Sequence, residues 1–135
     1  MRTKNREYWR KKAATTAKKI VRLQSNYTCA YCGRSEPIIK THGSHIYAEG
    51  TYRNMSADLD NILCLCYTHH IGSYMQSKHP SWHKNPVEMV EWFINKYPER
   101  YQKLKKRTQI IYEVNFEEKY ASLKRELEQL QISGR

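Results

Sequence analysis

With 135 residues, of which 39% are hydrophobic and 27% charged, the chain has enough apolar material for one small core and no room for a second enzyme domain. A net charge of +11 with a mean hydropathy of −0.89 makes a polyanion, DNA or RNA, the expected partner and leaves no run approaching the length of a membrane span. The four cysteines all fall between residues 29 and 66, a metal-binding arrangement more than a secreted disulfide frame, and no apolar leader opens the chain, so a soluble, cytoplasmic protein without membrane contact is expected.

Residues 6 to 24 read as a helix with Trp9, Ala13, Ala17, Ile20 and Val21 on one stripe. Around the rest lie Arg6, Arg10, Lys11, Lys12, Lys18, Lys19 and Arg22, the expected DNA-binding set, against a single Glu7. The stripe is too weak and alanine-rich for a membrane surface, so the helix is expected to pack on the core with its lysines toward phosphate. Residues 1–25 form this basic helix, 26–97 the central domain and 98–135 a helical extension.

From Asn26 to about Tyr52 the text is turn-rich and β-like, with a knuckle at Cys29 to Gly33 and candidate hairpin strands at Ile38-Ile39-Lys40 and His45-Ile46-Tyr47. Asp60 to Leu65 is a turn with a short apolar run, and a helix starting near Cys66 or Tyr67 carries His69 and His70. Residues 72 to 84 are polar, His-rich and without period. Asn85 as cap, Pro86 at the first helical position and Glu88 start a further helix, whose buried face is Val90, Phe93, Ile94 and Tyr97 and which Pro98 stops. Lys103 to Arg107 is a second basic patch. Asn115 and Glu118 begin a last helix whose Phe116, Tyr120, Leu123, Leu127 and Leu130 make a two-heptad seam, for docking on the domain or for a homodimer. The fold class is therefore α+β.

Two ligand pairs at knuckle spacing, Cys29/Cys32 and Cys66/His69, can close a tetrahedral zinc site. Cys64 between two leucines reads as a small buried hydrophobe, with substitution for Cys66 as ligand the alternative. His45, Asn61 and His70 remain as an ordered triplet. His69 and His70 point about 100° apart around a helix, so they can serve different metals. His69 is assigned to zinc and His70 to catalysis, with the reverse as the alternative.

The rhythm Cys29-x2-Cys32, Ser44-His45-Ile46, Asp58-x-Asp60-Asn61, Asn61-x4-Cys66-x2-His69-His70 and Asn85-Pro86-x-Glu88-x3-Trp92 resembles the zinc-containing HNH nucleases of phages and prophages, members of the ββα-metal endonuclease group. His45 to Asn61 is sixteen residues and Asn61 to His70 is nine, close to that motif. The resemblance implies a small ββα-metal core with a structural zinc, flanked by N- and C-terminal helices. It implies His45 as general base and His70 as ligand of a catalytic Mg²⁺ or Mn²⁺. Asn61 either orients the base's hairpin or ligates that ion. His69 stands where the family has its last zinc cysteine. Ser44 stands where the family commonly has an Asp or His ligand, and His42, Glu49, Asp60, His79 and His83 are the nearest replacements. The implied activity is nicking or cutting of DNA. The alternatives are a non-catalytic zinc module binding nucleic acid and a structure-selective nuclease on branched DNA in phage recombination.

Overall fold

A computed structural model describes residues 2–72 and 80–133 of the chain, with side chains from residue 5 onward. The long first helix, α1 (Arg2–Gln24), contains neither Gly nor Pro, and its Ala13, Ala17 and Ile20 are fully buried. It ends where Asn26 and Tyr27 turn to positive φ and the Tyr27 amide donates to the Arg22 carbonyl at 2.8 Å. Two strands follow, β1 (Thr41–His45) and β2 (Ile62–Cys66), paired antiparallel with His45 opposite Ile62 and Thr41 opposite Cys66. The short α2 (Tyr67–His70) continues directly from β2.

α1 crosses β1 so closely that a Cβ on Gly43 would sit 2.6 Å from Lys18 Cβ, which only glycine avoids. β2 is apolar and buried along its whole length, as a strand covered on both faces must be. Its Leu63 and Leu65 join Met55, Met89, Phe93 and Leu104 in one cluster. Ile62 joins Ala13, Ala17, Ile20, Phe116 and Leu123 in the other. The first cluster is closed by α3 (Pro86–Lys96) and α4 (Pro98–Thr108), the second by α1 and α5 (Phe116–Ile132). The architecture is thus α+β with one small two-stranded sheet. Among the described residues no helix is long and apolar enough to cross a membrane.

Several expectations are corrected. The strands are not 38–40 and 45–47: Ile38 lies in a turn and is 84% exposed, while the polar run Thr41–His45 becomes β1 because β2 supplies its hydrogen-bond partners. The buried face of α3 is Met89 and Phe93, and Val90 is exposed. Asn85 precedes α3 without capping it, since its Oδ1 accepts from the Ser81 amide at 3.2 Å. Pro98 ends α3 and also opens α4, which the reading had left as a basic patch. For α5 the expected cap is present, with Asn115 Oδ1 accepting from the Glu118 amide at 3.1 Å. Its seam is spent within the chain: Phe116 and Leu123 are buried against the α1 stripe, with Tyr120, Leu127 and Leu130 packed alongside.

Candidate functional site

The knuckle forms because Gly33, at φ +76°, lets the chain double back. The Gly33 amide then donates to the Cys29 carbonyl at 2.9 Å, and the Cys29 amide donates to the Arg34 carbonyl at 2.8 Å. A bond from the Ala30 amide to the Cys64 carbonyl, 2.8 Å, ties this turn to β2, whose last residue is Cys66. The sulfurs of Cys29, Cys32 and Cys66 all lie within 4.8 Å of one another. Burial pushes the Cys29 thiol up to about 12. Burial opposes ionisation of Cys32 as well, but the Arg34 guanidinium, whose Nε is 3.3 Å from Cys32 Sγ, brings that thiol below its usual value. Cys64 is buried outside the group, so Cys66 and not Cys64 takes the ligand position.

His69, the expected fourth ligand, is buried and lies against Tyr31 of the knuckle, with ring centroids 4.4 Å apart. It stands outside the three-sulfur group. Its Nδ1–H donates to the Pro80 carbonyl at 2.8 Å, which fixes the tautomer and leaves the lone pair on Nε2.

His45 and His70 line a different space, a cavity of about 340 Å³ shared with Lys18, Ser44, Glu49 and His83. His45 Nε2–H donates to the Ser56 carbonyl at 2.7 Å, and Nδ1 is 3.3 Å from Glu49 Oε2. Burial lowers its pKa, the Ser56 and Glu49 contacts work against that, and the balance falls below the ordinary 6.5. His70 is pushed down to about 4 by burial first, then by the charges of His83, His42, Lys18 and His45. Both rings are therefore neutral at neutral pH, with a nitrogen lone pair to offer.

Asn61 is fully buried and does not line this cavity. Its Oδ1 accepts from the Tyr47 amide at 2.8 Å, while Nδ2 donates to the Tyr47 carbonyl at 3.0 Å and the Met55 carbonyl at 3.1 Å. Of its two expected roles, these three backbone hydrogen bonds fit the brace. The turn carrying it is clamped by α4. Arg107 pairs with Asp58 at 2.7 Å and Asp60 at 3.0 Å, and Arg100 Nε donates to the Asp60 carbonyl at 2.7 Å. Asp60 is thus paired with Arg107, and His79 lies outside the described residues.

The DNA-binding set divides. Arg10 is withdrawn from it: the residue is 7% exposed and donates to Glu7 at 2.5 Å, Glu49 at 3.1 Å and Ser56 Oγ at 2.9 Å. Arg6 donates to the Val114 carbonyl at 3.0 Å, and Arg22 pairs with Glu36 at 3.0 Å, so both tie α1 to the rest of the chain. Lys12 lies over the Tyr120 ring, 4.9 Å from its centroid. Lys18 faces the cavity, 3.9 Å from Glu49. Lys11 and Lys19 are exposed. The Arg10–Glu49 pair beside His45 was not expected from the sequence. Arg10 falls three residues before Ala13 and seven before Ala17, on the buried stripe, and that spacing was the available signal.

Comparison with family models, curated proteins and solved structures gave no match to this chain.

Proposed function

We propose that this chain is a metal-dependent endonuclease of the HNH type that hydrolyses DNA phosphodiester bonds. The observation that carries the reading is the separation of two neighbours on one helical turn: His70 lines a cavity with His45, while His69 packs on the cysteine knuckle. The order β1, β2, α2 is the order of a ββα-metal core. Three thiols within 4.8 Å and an Nδ1–H tautomer on His69 suit a structural zinc held by Cys29, Cys32, Cys66 and His69. Such a zinc contributes folding free energy.

His70 suits a divalent ion, which when bound would polarise the phosphate and stabilise the leaving oxygen. His45 is the base. The Ser56 carbonyl fixes the proton on Nε2, so Nδ1 accepts the proton of the attacking water. That nitrogen is 3.3 Å from Glu49 Oε2, where the carboxylate stabilises the imidazolium. Arg10 holds both Glu49 and Ser56, and Asn61 holds the loop between them and the strand. Exposed Lys11 and Lys19 meet the DNA backbone.

A second reading, a catalytically silent zinc module that binds nucleic acid, is favoured by one observation: both ring nitrogens of His45 already have neighbours at hydrogen-bonding range. Supercoiled plasmid decides between them. Nicking in Mg²⁺, Mn²⁺ or Ni²⁺, stopped by EDTA and leaving a 5′-phosphate, is the expected result. Tight binding with no nicking in any of the three would establish the silent module.

A further inference from the structure

The position that supplies a metal ligand just before the base in HNH nucleases is Ser44 here, and Ser44 is buried. Residues two apart on a strand share a face, so His42 stands on the same face of β1 as Ser44, one pleat away. Its Nδ1 lies 3.1 Å from His70 Nδ1. Two imidazole nitrogens on one ion at bonds of about 2.0–2.1 Å are separated by roughly 3 Å, so the pair already stands at chelating distance. A third imidazole arrives from a separate segment. The His83 amide donates to the His70 carbonyl at 3.1 Å, and the His83 ring centroid lies 4.8 Å from that of His70. Imidazoles from β1 and α2 therefore meet nitrogen to nitrogen, and a third, from the approach to α3, lies against the His70 ring.

We infer that His42 replaces the ligand missing at Ser44, so that His42 and His70 chelate one divalent ion, with His83 beside them as the third imidazole. This rests on the nuclease reading for its purpose but not for its geometry. An all-imidazole donor set selects ions such as Ni²⁺ or Zn²⁺ over Mg²⁺, whose preferred donors are carboxylate and water oxygens. The site thus sets the metal on which cutting runs.

The test uses the full chain, carrying one equivalent of zinc per chain and free of DNA, titrated calorimetrically with Ni²⁺ and separately with Mg²⁺. One Ni²⁺ equivalent beyond the zinc is expected, with Mg²⁺ binding far more weakly. His42→Ala and His70→Ala should each weaken Ni²⁺ by at least about tenfold, the loss caused by outer-shell changes alone, and Ser44→Ala should not. Should a histidine variant fold poorly, paramagnetic broadening by Ni²⁺ of the His42 and His70 ring signals in the wild type gives the same answer. Unchanged Ni²⁺ affinity in folded His42→Ala, no broadening at His42, or equal affinity for Mg²⁺ would each overturn the assignment. Ni²⁺ bound through His42 in a protein that never nicks DNA would overturn the nuclease reading and leave this site standing. Nicking that survives His42→Ala undiminished would do the reverse.

Discussion

Asn61 is the residue on which the shape of the histidine cavity depends most heavily. One amide holds the Tyr47 amide, the Tyr47 carbonyl and the Met55 carbonyl, with no exposure to water. Asn61→Ala leaves the Tyr47 amide and carbonyl unpaired, at a cost of about 2–4 kcal/mol in denaturant unfolding. If instead the variant is as stable as wild type, the brace is wrongly assigned. Glu36 plays a similar part at the other end of β1, accepting from the Thr41 amide at 2.8 Å, the Thr41 hydroxyl at 2.6 Å and Arg22 at 3.0 Å. The Thr41 hydroxyl first, then its amide and Arg22, hold this carboxyl down to about 2 from an ordinary 4.5. Its folded pKa lies below its unfolded one, so its stabilisation is complete above the unfolded value and is lost as pH falls from about 4.5 through 2. Glu36→Gln should therefore cost about 1–2 kcal/mol at neutral pH, and the gap from wild type should narrow on acidification. A gap that widens toward low pH would contradict this. The cluster of Cys29, Cys32 and Cys66 was legible in the sequence because metal chemistry favours such types and spacing. The role of Asn61 was not, because an amide suits a metal and a backbone equally well until its burial is known.

At the scale of elements, α1 carries more of the structure than its charge suggests. Ala13, Ala17 and Ile20 complete one of the two apolar clusters, and Arg10 reaches Glu49 and Ser56 beside His45. Deleting residues 1–25 should therefore unfold the chain, as seen by circular dichroism and loss of bound zinc, and not yield a folded domain with weaker DNA affinity. A folded, zinc-bound truncation would show that α1 is an appendage after all. Helices α1, α3 and α5 were legible from periodicity and starting residues. β1 was not, because Thr41-His42-Gly43-Ser44-His45 has no apolar alternation and is a strand through its pairing with β2 and its close approach to α1. α4 was hidden by Pro98, which serves as a stop and as a start.

Across the whole molecule, the net charge of +11 is partly spent on internal work, since Arg6, Arg10, Arg22, Arg100 and Arg107 all hold backbone or carboxylate partners. Lysines such as Lys11 and Lys19 on α1, and Lys103, Lys105 and Lys106 on α4, are exposed. For duplex DNA, the log–log salt slope of binding should become shallower by about 0.9 for each phosphate contact removed. Lys11→Ala with Lys19→Ala should flatten it without changing unfolding, and an unchanged slope would move the DNA toward α4. The most direct measurement is single-turnover nicking of supercoiled plasmid by zinc-loaded wild type and His45→Ala, compared at equal fold and equal DNA binding. A loss of about 10²–10⁴-fold in rate, with binding retained, is the result expected for removal of a general base. Equal cutting by the two proteins would contradict catalysis at His45.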